Sequence, residues 1–332
     1  MMDAVGDPVL LDSWMPVTNA RDVAPDAPLG VTLLDTPIVL WRTPDGSLHV
    51  ARDQCPHRGA ALSLGQVRGE TLMCAYHGWV YDRGGQCVLQ PAAPLHTPPP
   101  NARLTMYDVC ERYGVIFVAL GRAPKEPPAY FPEWDVPGVR QYHHEPLVVN
   151  ACGPRIIENF LDMAHFPFVH AGVLGAESHT EVRDYNVTTK EDGIEVTGCL
   201  FWQPAAAPGA AGADVEYSYR VPHPYVATLS KLPREFAYGF SLMIMASPVD
   251  EEHCRAWMIG AFTDPDVSTA EFHDFNQRIF TQDVPILESQ RPRPLPLDPT
   301  AELAQKADRA SSAYRRWLAG LGLTYGTTPA RS

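Results

Sequence analysis

Short apolar and β-branched runs, broken by turn residues, fill the first third of the chain. Val31–Leu34 and Ile38–Arg42 lie on either side of a proline, and Leu48–Arg52 returns after the turn signal Pro44-Asp45-Gly46. Arg83-Gly84-Gly85-Gln86 reads as a second hairpin turn, and Val115–Leu120 as a buried strand. Helical periods are scarce from about residue 8 to 120, so this part is expected to be all-β. Two proline-rich stretches follow, Pro91–Pro100 and Pro124–Pro137, and the second is expected to be a hinge. The expected boundaries are a first domain over 1–125, a Pro-rich linker over 126–145 and a second domain over 146–332.

The pattern then changes. Arg155–His165 can form a helix, and Thr269–Gln290 and Ala301–Leu321 read as helices. Val182–Thr188, Ile194–Phe201, Tyr217–Val221, Val226–Leu232, Phe236–Pro248 and Arg255–Phe262 read as strands. Pro204–Ala213 is expected to be a loop between two of them. The second domain is therefore expected to be α+β, an antiparallel sheet with helices against it.

Composition narrows the class. The 332 residues are 45% hydrophobic and 20% charged, ordinary for a globular enzyme. A formal net charge of −13 argues against nucleic acid as a partner, which requires a basic face. No apolar run approaches the ~20 residues that span a bilayer, and the first residues carry no secretory pattern. No membrane association and a cytoplasmic location are expected. The seven cysteines are an odd count, which fits reduced thiols better than a disulfide scaffold.

Four residues stand out in the first domain: Cys55 and His57, then Cys74 and His77. Each short segment supplies one thiolate and one imidazole. Two such loops facing each other present the Cys₂His₂ set of a Rieske [2Fe–2S] centre. Neutral imidazoles on one iron reduce its negative charge and raise the potential. Gly59 and Gly78 let the backbone bend tightly around the cluster. Zinc also takes two Cys and two His, but its ribbons and fingers prefer Cys–Cys and His–His pairs. The remaining cysteines are read as small core residues.

A second constellation opens the second domain, in the segment from Glu158 to His170. A non-haem Fe(II) oxygenase needs two His and one carboxylate on one face of an octahedron, with the other face open. His165 and His170 are the candidate imidazoles. Five residues apart, they would not share a face of a straight helix, so a local break is required. Pro167 lies between them and is the expected cause. Asp162 precedes His165 by three residues and can share its face.

These two motifs together resemble the oxygenase (alpha) subunit of Rieske non-haem iron oxygenases. Cys55-x-His57 with Cys74-x-x-His77-Gly78-Trp79 is similar to the family's Rieske domain, and Asn159-x-x-Asp162-x-x-His165-x₄-His170 to its mononuclear-iron motif. The resemblance implies an all-β Rieske domain followed by a helix-grip catalytic domain. It implies Asp283 as the third iron ligand, with Asp274 and Glu288 as rivals on the same helix. It gives Asp162 the role of bridging a Rieske histidine of one subunit to an iron-binding histidine of the next, and puts Asn159 near the iron. A head-to-tail bridge requires a closed ring, and family members of this length are usually homotrimers.

The implied cofactors are a [2Fe–2S] cluster and a mononuclear Fe(II), with O₂ as co-substrate. The implied partners are a small organic substrate, aromatic or heterocyclic, and an NAD(P)H-dependent reductase or ferredoxin. The short chain is most similar to the subfamily of vanillate O-demethylase, toluenesulfonate methyl-monooxygenase and the saxitoxin-tailoring oxygenases. That favours monooxygenation, as hydroxylation or oxidative O- or N-demethylation, over cis-dihydroxylation or a bare electron carrier. Phe201, Trp202, Tyr225, Met243, Met245 and Trp257 are pocket candidates whose simpler reading is core. No charged residue marks an anionic substrate at this level.

Overall fold

The computed structural model describes residues 6–128, 130–205, 212–233, 239–264 and 266–329. The chain divides into two compact units after Pro128.

The first unit is built of two antiparallel sheets. Six strands, β1 (Met15–Asn19), β2 (Leu29–Leu33), β3 (Thr36–Arg42), β4 (Leu48–Arg52), β9 (Met106–Arg112) and β10 (Val115–Ala119), pair in the order β1-β10-β9-β4-β3-β2. β10 is buried along its whole length, as its unbroken apolar run requires. The turn between β3 and β4 forms where expected: Gly46 takes φ +86° and the Asp45 carboxylate accepts from Ser47 N. The smaller sheet comprises β5 (Gln66–Arg68), β6 (Thr71–Met73), β7 (Val80–Tyr81) and β8 (Cys87–Leu89), paired in sequence order. The segments after β4 and after β6 carry the paired Cys and His residues. A short helix, α1 (Pro8–Leu11), precedes β1.

The second unit holds an eight-stranded antiparallel sheet. Its strands are β11 (Arg140–His143), β12 (Leu147–Val149), β13 (Asn186–Lys190), β14 (Gly193–Gln203), β15 (Ala213–His223), β16 (Val226–Pro233), β17 (Phe240–Pro248) and β18 (Cys254–Phe262). The order is β11-β18-β17-β16-β15-β14-β13, and β12 also pairs with β18. Four helices accompany it: α2 (Gly153–Leu161), α3 (Phe166–Val169), α4 (Thr269–Ser289) and α5 (Arg309–Leu321). α2 lies against β17, α4 against β11 and β12, and α5 against β13 and β14. Ser268 and Glu271 close a reciprocal capping box at the start of α4. A short parallel pair, β19 (Leu295–Pro296) and β20 (Thr327–Thr328), ties the C-terminal segment down.

Several sequence expectations need correction. The stretch expected as a linker over 126–145 contains β11, whose Arg140–His143 pair with β18 residues from Phe262 to Ile259. Proline density marks changes of direction, but the segment past Pro137 is free to join a sheet edge. The helix expected over Ala301–Leu321 begins only at Arg309. Leu303 is fully exposed, so the first part of that stretch has no apolar face to bury and propensity alone does not hold it. The strand expected at Val182–Thr188 starts four residues later and runs over Asn186–Lys190. Residues 206–211 of the expected Pro204–Ala213 loop, and 236–238 of the strand expected at Phe236–Pro248, lie outside the described residues.

Candidate functional site

The two Cys–His loops of the first unit are built alike. Cys55 N donates to Ala60 O (2.8 Å) and Gly59 N to Cys55 O (2.8 Å). Cys74 N donates to Trp79 O (2.9 Å) and Gly78 N to Cys74 O (3.1 Å). Each loop thus closes on itself through the same bond pair, with a glycine at φ +72° or +68°. L-residues avoid that conformation, so the glycines are required there. Cys55 and Cys74 are buried in a core cluster with Tyr81 and Cys87, whereas His57 is half-buried and His77 exposed. The thiolate side of the site is therefore interior and the imidazole side faces outward. The His57 and His77 rings meet edge to face at 4.5 Å, and His57 stacks on Trp79 at 4.5 Å.

The donor set fits an iron–sulfur cluster. His57 Nδ1 is buried without a hydrogen-bond partner among the described residues, as a nitrogen reserved for a metal would be. Burial pushes the Cys74 thiol up, and Cys55 adds to this, against backbone N–H groups of Tyr76 and His77. That holds the Cys74 thiol toward its protonated form, and binding a metal ion is what displaces the proton. The Tyr81 hydroxyl lies 3.0 Å from Cys55 Sγ, placed to donate to a thiolate.

The second site forms where α2 ends. The helix stops at Leu161, and Asp162 leaves helical geometry with ψ +133°. Asp162 Oδ1 accepts from Ala164 N (2.8 Å), and Oδ2 pairs with His165 Nδ1 (3.0 Å). The contact expected between Asp162 and His165 is present, but through this turn rather than along a helix face. Pro167 does not cause the break; it lies in the first turn of α3, where a missing N–H costs nothing. His165 caps that single turn and His170 ends it, so their Nε2 atoms converge to 3.2 Å.

Asp283 comes from α4. Its Oδ1 lies 3.1 Å from His170 Nε2 and 3.5 Å from His165 Nε2. The three ligand atoms lie within 4.8 Å of one another. The rivals face elsewhere: Asp274 is exposed beside His273, and Glu288 Oε1 accepts from Asn150 N and Nδ2. Asn159 Nδ2 reaches Asp283 Oδ1 at 3.5 Å. Sequence reasoning missed Gln282, whose Oε1 lies 2.9 Å from His170 Nδ1. With Nδ1–H donating to Gln282 and to Asp162 respectively, His170 and His165 both turn the Nε2 lone pair inward. Two inward lone pairs and a carboxylate fit a divalent metal ion. Burial pushes the Asp162 carboxyl up, but the His165 ring and the Ala164 and His165 backbone N–H groups outweigh it and hold it below the usual range.

The three ligands open onto an apolar cavity. Its walls include Tyr217 and Tyr219 of β15, Leu229 of β16, Leu242 and Ile244 of β17, and Phe275 and Phe280 of α4. None of the six pocket candidates is among the lining residues. Met243, Met245 and Trp257 alternate with lining residues and point to the other side. β17 is buried at every position, so hydrophobicity does not alternate and cannot reveal which face looks inward. Phe201 packs behind the cavity on Phe166, Trp202 stacks on His179, and Tyr225 donates to Tyr325 O.

Comparison with known proteins agrees with this layout. Residues 13–99 match the Rieske [2Fe–2S] domain family, and residues 149–323, more than half the chain, match the vanillate O-demethylase oxygenase C-terminal domain. Methylxanthine N1-demethylase NdmA of Pseudomonas putida is 33% identical over 324 residues, covering 92% of this chain and 87% of that protein. The probable methylxanthine N7-demethylase NdmC of Pseudomonas sp. (strain TJI-51) is 40% identical over 220 residues, 65% of this chain and 78% of its own. The structure of Pseudomonas putida CBB5 NdmA with caffeine superposes with a TM-score of 0.83 at 30% identity, covering 93% of this chain and 90% of the other. The cofactors of such enzymes are the [2Fe–2S] cluster and a mononuclear iron that uses O₂. This chain belongs to the Rieske non-haem iron oxygenases of the vanillate O-demethylase type, monooxygenases of small organic substrates.

Proposed function

We propose that the chain is an oxygenase component that demethylates or hydroxylates a small ring-bearing substrate with electrons from an NAD(P)H-dependent reductase. The observation that carries this reading is the convergence of His165, His170 and Asp283 on one wall of an apolar cavity. In this reading Cys55, His57, Cys74 and His77 hold the [2Fe–2S] cluster, and His165, His170 and Asp283 hold the iron. When bound, the iron supplies the activation of O₂. The chain's residues do the rest. Asp162 and Gln282 fix the two ring tautomers, and Asn159 supports the Asp283 carboxylate. The aromatic and aliphatic walls orient an apolar ring and exclude water. Asp162 also fits the role of electron bridge between neighbouring subunits of a homotrimer, since its carboxylate lies on the outer side of His165 and is part exposed. A cytoplasmic site of action belongs to the same reading.

For demethylation, substrate–CH₃, O₂, NADH and H⁺ yield substrate–H, formaldehyde, water and NAD⁺. The test is an iron- and sulfide-replete preparation with a reductase, NADH and a panel of N-methyl and O-methyl aromatic compounds. Formaldehyde release equal to substrate-dependent NADH oxidation is expected with a member of the panel. His165→Ala is expected to abolish it while leaving the spectrum of the reduced cluster unchanged. Full turnover by that variant would sink the assignment.

A further inference from the structure

Behind the Tyr217 and Phe240 wall of the cavity stands a group that oxygen chemistry leaves unused. Lys231 is 2% exposed. It follows Leu229 by two residues on β16, so both side chains stand on the cavity face. Its cross-strand neighbours are Tyr217 and Phe240, both of which line the cavity. Lys231 Nζ lies 5.7 Å and 5.2 Å from their ring centroids and has no hydrogen-bond partner among the described residues. Gln203, fully buried, donates through Nε2 to the Tyr217 hydroxyl and leaves Oε1 without a partner among the described residues. Phe240 packs on Phe272 with ring centroids 5.4 Å apart. Phe272 precedes Asp283 by 283 − 272 = 11 residues, about 16 Å along a helix. The ammonium group therefore stands well away from the iron ligands.

A buried ammonium group without a counter-charge is costly, and two ring faces offset only part of that cost. Burial accordingly pushes the Lys231 amine down to about 7. A methionine would fill the same space among Tyr217 and Phe240 without that penalty. An anionic ligand oxygen entering the cavity would restore the missing pairing and stabilise the charged form.

Resting on the oxygenase reading above, we propose that Lys231 determines specificity: its ammonium group receives an anionic oxygen of the substrate and leaves the opposite end of the ring facing His165, His170 and Asp283. The substrate class is an aromatic or heteroaromatic anion, charged through a carboxylate or a deprotonated ring oxygen. A neutral ligand, such as the caffeine named for one structural relative, leaves the charge unpaired.

Binding to the iron-replete protein, without reductase or NADH, tests this by calorimetry. The probes are two matched pairs, para-methoxybenzoate with para-methoxybenzamide and meta-methoxybenzoate with meta-methoxybenzamide. The wild type is expected to bind the carboxylate of at least one pair about tenfold or more tightly than the amide. Lys231→Met and Lys231→Gln are expected to lose that preference, and ligand-free Lys231→Met to melt no lower than the wild type. Equal binding within both pairs, no binding of either member, or a preference that survives Lys231→Met would overturn the proposal. Failure of the oxygenase reading would show differently, as absence of bound iron or of substrate-dependent oxygen uptake.

Discussion

Gln282 is the least conspicuous residue of the candidate iron site and carries a definite job. Its side-chain oxygen holds His170 Nδ1 at 2.9 Å and so aims Nε2 at Asp283 and His165. Gln282→Leu is expected to lower iron affinity about 10- to 100-fold, read by iron titration, with the [2Fe–2S] content unchanged. In the other candidate site, the Tyr81 hydroxyl, 3.0 Å from Cys55 Sγ, would stabilise the more negative, reduced state of a bound cluster. Tyr81→Phe is expected to lower the midpoint potential by about 40 mV, the one-electron equivalent of a hydrogen bond worth about 1 kcal/mol. At this scale the candidate ligands can be picked out of the sequence because the chemistry admits few residue types at a few spacings. Gln282 is not, because a glutamine beside an aspartate acquires meaning only once the phase of α4 is known. Lys231 is hidden for the same kind of reason. A lysine two residues before a proline reads as a strand end, and only the register with Tyr217 and Phe240 turns it inward.

The elements hold these residues through close contacts that tolerate little change. A Cβ on Gly175 would meet Pro167 N at 2.6 Å, so the chain after His170 can fold back on α3 only with glycine there. Gly175→Val is expected to displace the α3 turn and reduce iron occupancy, measured by metal analysis of the purified variant, without altering the cluster. A second tie joins α2 to α5: Arg155 binds Glu302 (2.7 Å), and Arg315 binds both Glu158 and Glu302 (2.5 and 2.6 Å). Arg155 is 3% exposed, and Arg155→Met is expected to cost about 3 kcal/mol in stability, read by denaturant unfolding, because it leaves buried Glu158 and half-buried Glu302 sharing Arg315 alone. Burial pushes the Glu302 carboxyl up, but Arg155 and Arg315 outweigh it and hold it below its ordinary 4.5. A depressed carboxylate contributes stability that is complete above its unfolded value and lost as pH falls through the folded one. The melting temperature should therefore fall as the pH drops below about 4.5, and less steeply in Glu302→Gln. Elements with a buried face were predictable in kind, as β3, β10 and α4 show. The helix expected from Ala301 failed because propensity was its whole support. The distortion expected at Pro167, between His165 and His170, is instead a break after Leu161 that the Asp162 side chain makes.

At the scale of the whole chain, each candidate site draws its residues from a single unit. Cys55, His57, Cys74 and His77 lie before residue 128, and His165, His170 and Asp283 after it. The division into an all-β part and an α+β part is visible in the sequence because the period of hydrophobic residues changes between them. What the pattern does not contain is the pairing of Arg140–His143 with β18, a contact across more than a hundred residues that no local signal announces.

The separation of the proposed iron ligands along the chain has a further consequence. His170 and Asp283 are 283 − 170 = 113 residues apart, with most of the sheet strung between them. An ion gripped by both is a buckle on a long strap. In the unfolded chain, bringing such distant points together costs about 4 kcal/mol of loop entropy, and a bound ion that keeps them together removes that freedom. Starvation for iron is thus expected to do more than silence such a protein: it should loosen the strap and leave the unbuckled chain an easier meal for proteases.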